Sequence, residues 1–86
     1  MRPEQAIGEL IKQRREEMHM KQGEFAELVR EIAGKVKTGF SQTQLSEIER
    51  GVFMARFTTL CAIGEAIGTA PGELWDVCLQ AKNRLE

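Results

Sequence analysis

The chain has 86 residues, of which 42% are hydrophobic and 29% are charged, and its formal net charge is −1. A chain of this length forms one compact domain, so we expect a single domain over residues 1–86. No apolar run approaches the length of about 20 residues that crosses a bilayer, and no signal-peptide pattern is present, so we expect a cytoplasmic protein. The balanced charge argues against non-specific, polybasic binding of nucleic acids.

The residues that most often bind metals are scarce. Cys61 and Cys78 are the only cysteines in the sequence, and His19 is the only histidine. Both cysteines occupy apolar positions of predicted helices, so we interpret them as buried small hydrophobic residues, with a disulfide as the alternative. We expect no metal and no cofactor. No pair of nucleophile and base, glycine-rich phosphate loop or carboxylate dyad is evident, so we do not expect an enzyme.

The first predicted helix spans residues 3–18. Pro3 suits a first helical turn. Apolar residues recur at helical spacing through this segment: Ala6, Ile7, Leu10, Ile11 and Met18. Arg14 and Arg15 lie near its C-terminal end, where the helix dipole favours positive charge. Residues 19–21 then form the bend into the next helix.

The second predicted helix spans residues 22–33, with Gly34 as its stop. Its apolar residues follow the spacing i, i+3, i+4, i+7: Phe25, Leu28, Val29 and Ile32. A loop that contains Lys35 and Lys37 follows. These lysines could reach the phosphates that flank a binding site, or the loop could be a solvated insertion, because lysine is common in surface loops.

A short third helix is predicted between Ser41 and Gly51. Ser41 followed by Gln44 fits a capping box, in which the hydroxyl and the amide each accept from a backbone N–H at the helix start. Phe40 and Leu45 have the spacing of a hydrophobic staple across that start. Gly51 tolerates the left-handed conformation that commonly ends a helix.

The two faces of this third helix differ in character. At about 3.6 residues per turn, Leu45 and Ile48 share one side. The opposite side is polar: Gln42, Thr43, Ser46, Glu47 and Arg50. Apart from two charges, it consists of short side chains that donate and accept hydrogen bonds, which suits the edges of bases. A solvated face on a surface helix is the alternative, and the pattern alone does not decide between them.

The stretch Leu-Ser-x-Ile-Glu-Arg-Gly resembles the end of the recognition helix in the phage repressor and Cro-type (XRE-type) helix-turn-helix family. The resemblance extends over about residues 7–74, and its most specific parts are residues 15–17, 22–26 and 46–51. It implies an all-α, compact five-helix repressor-like domain whose second and third helices form the helix-turn-helix. The segment between Val29 and Ser41 is longer than the usual turn, so we expect an elongated second helix or turn.

The resemblance also implies roles for single residues. In the family, an arginine at the position of Arg15 pairs with a glutamate at the position of Glu49, so we assign this pair to structure. The glutamine at the position of Gln22 commonly touches a phosphate and buttresses the recognition helix; a plain helix-start glutamine is the alternative. Family members usually have glycine at the position of His19 and a serine or threonine cap at that of Lys21, so this cap is absent or shifted.

Residues 52–55 are unusually apolar for a connection between helices. We expect part of this segment to cap the core, with Phe53 or Phe57 packing under the first helix. A surface for a partner or a dimer is the alternative. Arg56 and Thr58 lie at the start of the next helix, where family members touch phosphate, and Arg56 is the stronger candidate.

The last two predicted helices span residues 58–67 and 71–84, with Gly68 and Pro71 between them. The core residues of the fourth helix are Leu60, Ile63, Ala66 and Ile67. In the fifth helix one stripe can face the core: Leu74, Val77, Cys78 and Ala81. A second stripe remains: Trp75, Leu79 and Leu85. Because a small domain that reads a palindrome needs a twofold partner, we hypothesise that this second stripe forms a homodimer interface; Trp75 completing the monomer core is the alternative.

The sequence thus predicts a small transcriptional regulator, a repressor, that binds double-stranded DNA at a palindromic operator. The recognition helix, residues 42–50, would enter the major groove. The predicted base contacts are Gln42, Thr43, Ser46 and Glu47, and the predicted phosphate contacts are Gln22, Lys35, Lys37, Ser41, Arg50 and Arg56. Glu47 could instead bridge to Arg50. The second hypothesis is a protein-interaction adaptor or antitoxin-like partner-binding module that keeps the scaffold without reading DNA.

Overall fold

A computed structural model describes residues 2–34, 40–69 and 71–84, without the side chains of residues 71, 75, 78 and 81–84. These residues form five α-helices: α1 (Pro3–Glu17), α2 (Gln22–Ala33), α3 (Gln42–Glu49), α4 (Phe57–Ile67) and α5 (Pro71–Arg84). The all-α prediction is confirmed, and each helix begins and ends within one residue of its predicted bounds. In the described part of the chain, none of the helices is both long enough and apolar enough to cross a membrane.

Residues with positive φ angles follow four of the helices. Gly34, Gly51 and Gly68 follow α2, α3 and α4 with φ angles of 61°, 75° and 70°, so the predicted stops are confirmed. His19 follows α1 with a φ angle of 58°. An L-residue adopts this conformation at a cost of about 1–2 kcal/mol, whereas glycine does so without strain.

The core lies between α1, α2, α3 and α4, and α5 packs against α1 and α4. Its large apolar side chains are less than 2% exposed: Ile7, Ile11, Phe25, Val29, Leu45, Ile48, Ile63 and Leu74. Each such side chain contributes about 1.5–3 kcal/mol when it is fully buried. The inner faces predicted from helical spacing therefore meet in a single core. Met18, at the end of the predicted stripe of the first helix, is the exception, because it is 38% exposed.

The connection between α3 and α4 corrects one prediction. Met54 and Ala55 pack against the core, so part of the apolar segment does cap it. Phe53 and Phe57, however, are 44% and 74% exposed. The prediction that one of them is buried under α1 is therefore wrong. The short side chain of Ala55 faces the core in their place. Phe57 begins α4 about 120° around the helix from the buried Ile63, so it points away from the core.

The second stripe of α5 is described only in part. Leu74 is buried, as predicted for the core stripe, and Leu79 is 43% exposed, as the second stripe requires. The side chains of Trp75 and Cys78 lie outside the described residues, so the homodimer hypothesis stays a prediction. Cys61 is a free thiol that is half-buried rather than fully buried.

Helices α1 and α3 approach closely at Gly8. A Cβ atom at this position would clash with the carbonyl oxygen of Ile48 and lie 2.8 Å from the carbonyl oxygen of Glu49. Gly51 makes a similar approach to α1, because a Cβ atom there would lie 2.9 Å from the Cα atom of Gln5. These obstacles are backbone atoms, which cannot rotate aside. The absence of a side chain at Gly8 therefore allows α1 to cross the C-terminal end of α3.

Replacing Gly8 with alanine should lower the free energy of unfolding by about 1–3 kcal/mol, because the new methyl group would push α1 away from α3. Gly72→Ala is the matched control, since it adds a methyl group to α5 where no described atom lies within 4 Å. Its stability should be unchanged or slightly higher. Chemical denaturation measures both variants, and a Gly8→Ala protein as stable as the wild type would contradict the close approach.

Candidate nucleic-acid interface

The start of α3 is fixed by the predicted capping box. The hydroxyl oxygen of Ser41 accepts a hydrogen bond from the backbone N–H of Gln44 at 3.2 Å, and the Gln44 side-chain oxygen accepts from the Ser41 N–H at 3.2 Å. Phe40 and Leu45, the two residues of the predicted staple, are 2% and 0% exposed. The first turn of α3 is therefore held by polar bonds outside and by apolar packing beneath.

Arg30 adds a second anchor that sequence reasoning missed. This arginine lies in the last turn of α2, and its Nη1 atom donates to the carbonyl oxygen of Phe40 at 2.6 Å. The bond joins α2 directly to the residue that precedes the Ser41 cap. The only sequence signal is an arginine near a helix end, where it is expected for the dipole alone. Nothing in the local pattern identifies a partner ten residues further along the chain.

The C-terminal end of α3 is tied to α1 through a buried ion pair. Arg15 donates from Nε to Glu49 Oε2 at 2.7 Å and from Nη2 to Glu49 Oε1 at 3.1 Å. The two side chains are 11% and 3% exposed, respectively. The hydrogen bonds to the Glu49 carboxylate raise the pKa of the Arg15 guanidinium above its ordinary value. The structural pair implied by the family resemblance is therefore present.

Two further bonds extend this ion pair to α2 and to the bend before it. Arg15 Nη1 donates to the carbonyl oxygen of Met20 at 2.7 Å, and Gln22 Nε2 donates to Glu49 Oε1 at 3.1 Å. The predicted buttressing role of Gln22 is thus confirmed, because its amide contacts the last residue of α3. Its predicted phosphate contact stays a prediction.

The start of α2 uses a different cap from the one expected in the family. Lys21 occupies the N-cap position with an ammonium group, which cannot accept a hydrogen bond. The carboxylate of Glu24 instead accepts from the Lys21 backbone N–H at 3.1 Å. The side-chain cap at position 21 is therefore absent, as predicted. The bond from Glu24, which is one half of a capping box, satisfies one of the backbone N–H groups at the helix start.

The polar face of α3 is open to solvent at its N-terminal end. Gln42 and Thr43 are exposed, whereas Ser46 and Glu47 are half-buried. One shallow depression is lined by residues of α2 and of the α3 polar face: Gln22, Gln42, Thr43, Ser46 and Arg50. This lining contains one cation and no carboxylate. The structure thus brings three of the four predicted base contacts together, and Glu47 is not part of the lining.

Of the remaining predicted phosphate contacts, Arg50 lines this depression and Arg56 lies elsewhere. Arg50 is exposed, and its Nε donates to the Ser46 carbonyl of its own helix at 3.3 Å. Arg56 is an exposed residue at the N-cap of α4 and borders a separate depression, which also includes Phe53 and Thr59. Lys35 and Lys37 lie outside the described residues, so their role stays a prediction.

The described residues contain no group of three or more His, Cys, Asp and Glu side chains placed to hold a metal ion. Comparison of the chain with models of protein families gave no match. Searches against curated proteins and against solved structures gave no match either. The function is therefore argued from the geometry of α3 and its supports.

Replacing Glu49 with alanine should lower the free energy of unfolding by about 3–5 kcal/mol, because Arg15 would keep a mostly buried charge without its partner. The melting temperature should fall by more than about 10 °C, as followed by circular dichroism. Glu65→Ala, at an exposed position of α4, is the control and should melt close to wild type. A Glu49→Ala melting curve that overlays that of the wild type would show that the ion pair does not stabilise the fold.

Replacing Arg30 with alanine should loosen the start of α3 while the rest of the domain stays folded. The lost bond involves a charged donor and is worth about 1.5–3 kcal/mol. The amide protons of Gln44 and Leu45 should therefore exchange faster with solvent, as measured by hydrogen exchange. Arg14→Ala, which removes an exposed arginine of α1, should leave these rates unchanged. Equal exchange rates in the two variants would show that the start of α3 is not stabilised by the bond between Arg30 and Phe40.

Proposed function

We propose that this protein binds double-stranded DNA sequence-specifically and acts as a small transcriptional regulator, a repressor, with α3 in the major groove. The observation that carries the proposal is the exposure of Gln42 and Thr43 on a helix whose opposite side is buried and whose two ends are both anchored. A recognition helix needs side chains that project outward from a backbone held in a fixed position by its neighbours.

The chemistry of the exposed face suits base edges. Gln42 carries an amide that can bind the N6 and N7 positions of adenine with two hydrogen bonds. Thr43 offers a methyl group to the C5-methyl group of thymine, and the hydroxyl of Ser46 can donate or accept. Glu47 can accept from the amino group of cytosine, but it is half-buried and borders the face rather than lining the depression.

The charge distribution favours specific over non-specific binding. The net charge is −1, so attraction to phosphate must come from the arrangement of a few cations. Arg50 and Arg56 are exposed, and the Glu49 carboxylate is directed inward against Arg15. Ser41 uses its oxygen as the cap and can still donate its proton to a phosphate. We therefore propose that the protein makes few phosphate contacts and that its affinity for a DNA site depends mainly on contacts with the bases.

Repression then follows from occupancy, because a small dimer on a palindromic operator covers the promoter. The twofold partner is itself part of the proposal, through the α5 stripe that includes Leu79, which is 43% exposed. Two such domains would place two copies of α3 about one helical turn of DNA apart, roughly 34 Å.

A second candidate function is a protein-interaction adaptor on the same scaffold. Three large apolar side chains close together in sequence support it: Val52, Phe53 and Phe57, which are 65%, 44% and 74% exposed. Exposed apolar side chains that form one contiguous patch commonly mark a contact site for another protein. They follow directly after α3, so a protein partner could also bind alongside DNA.

Gel-shift titration on random and genomic DNA fragments over a range of salt concentrations separates the two candidates. Saturable binding that weakens as salt rises is expected for the regulator, because each neutralised phosphate releases counterions. Selection of bound sites from a random pool should then yield two related half-sites in inverted order. Absence of binding at low salt would reject the regulator and leave the adaptor.

Gln42→Ala and Thr43→Ala should each weaken binding to the selected site by about fivefold or more, because a good base contact is worth about 1–3 kcal/mol. Neither change should alter the melting temperature, since both side chains are exposed. Gln80→Ala, at an exposed position of α5, is the matched control and should bind like wild type. Unchanged affinity in both α3 variants would show that another face reads the DNA.

A further inference from the structure

Gly23 has no evident backbone reason to be a glycine. It lies at the second position of α2 in helical conformation, and it is not among the residues with a positive φ angle. Glycine is less favourable than alanine in a helix by about 1 kcal/mol, although this cost is smaller near a helix end. The small size of Gly23 therefore calls for an explanation in its surroundings.

The space above Gly23 is occupied by the side chain of Gln42. A Cβ atom at position 23 would lie 3.2 Å from the Oε1 atom of Gln42 and 3.9 Å from its Cδ atom. Among the described residues, these are the atoms within 4 Å that a new methyl group would meet. The obstacle at Gly8 is backbone, whereas here it is the end of one flexible side chain. An added methyl group would thus push the Gln42 amide aside by a few tenths of an ångström and leave the helices in place.

We infer that Gly23 is a positioning residue that sets the conformation of the Gln42 amide and thereby the base that Gln42 prefers. The inference rests on the proposed function and deepens it. Gln42 is exposed at the first position of α3, where a long side chain has several open rotamers. In the structure the amide oxygen of Gln42 lies in the space that a Cβ atom at position 23 would need. A two-bond contact to adenine requires the amide in one orientation, so the occupant of position 23 affects which base is read.

The first test uses the free protein and needs no DNA. The chain offers a matched control, because Gly23 and Gly72 both occupy the second position of a helix and both precede a glutamate. No described atom lies within 4 Å of a Cβ atom at position 72. The side-chain NH₂ resonances of Gln42, followed by ¹H–¹⁵N NMR, should shift in Gly23→Ala and stay at their wild-type positions in Gly72→Ala. Both variants should melt at or above the wild-type temperature.

The second test measures base preference. Selection from a random DNA pool should show that Gly23→Ala loses about tenfold in discrimination at the base pair that also loses its preference in Gln42→Ala. Adding Gly23→Ala to a Gln42→Ala background should change nothing further, because the residue acts through Gln42. Glu65→Ala, at an exposed position of α4 outside both α3 and the α5 stripe, should select the wild-type site.

Unshifted Gln42 resonances in Gly23→Ala would overturn the inference, and so would a change of preference that persists when Gln42 is absent. Failure of the proposed function gives a different result, since the wild-type protein itself would then select no site. The resonances of Gln42 in the free protein would still decide whether Gly23 positions its amide.

Discussion

The ion pair between Arg15 and Glu49 is the interaction on which the arrangement of the helices depends. The Glu49 carboxylate accepts two hydrogen bonds from Arg15 and a third from Gln22, while Arg15 also binds the carbonyl oxygen of Met20. One small polar cluster therefore joins α1, the bend after it, the start of α2 and the end of α3. Burial of a charge costs several kcal/mol unless it is compensated, so any arrangement that separates Arg15 from Glu49 while both stay buried is disfavoured.

This cluster is one of several anchors that stabilise a helix as short as α3. An isolated helix of eight residues is not stable in water, because nucleation outweighs the few bonds that follow. In this protein the start of α3 is held by the Ser41 cap and by Arg30, its middle by the buried Leu45, and its end by Glu49. The stability of α3 is thus tertiary in origin. Its outer face remains free for contacts because every anchor lies on the inner side or at an end.

Glycine contributes to the same surface in two different ways. At Gly8 the missing side chain brings the backbone of α1 against the end of α3, and so supports the helix from behind. At Gly23 it leaves a space that the Gln42 side chain occupies, and so affects an exposed group. The first effect acts on stability, and under the proposed function the second would act on recognition, although both follow from a missing Cβ atom. The net charge of −1 is consistent with the proposed function only if recognition relies on shape and hydrogen bonding more than on total charge.

Local signals in the sequence were sufficient for the helix bounds, the glycine stops and the Ser41 capping box, since each depends on residues within one or two turns. The pairing of Arg15 with Glu49 came from a family resemblance rather than from any local pattern. Only the tertiary structure revealed the exposure of Phe53 and Phe57 and the hydrogen bond from Arg30 to the carbonyl oxygen of Phe40. The same holds for the position of the Gln42 side chain. These features depend on where separate helices cross, and hydrophobic periodicity indicates which face of a helix is buried without specifying which neighbour covers it.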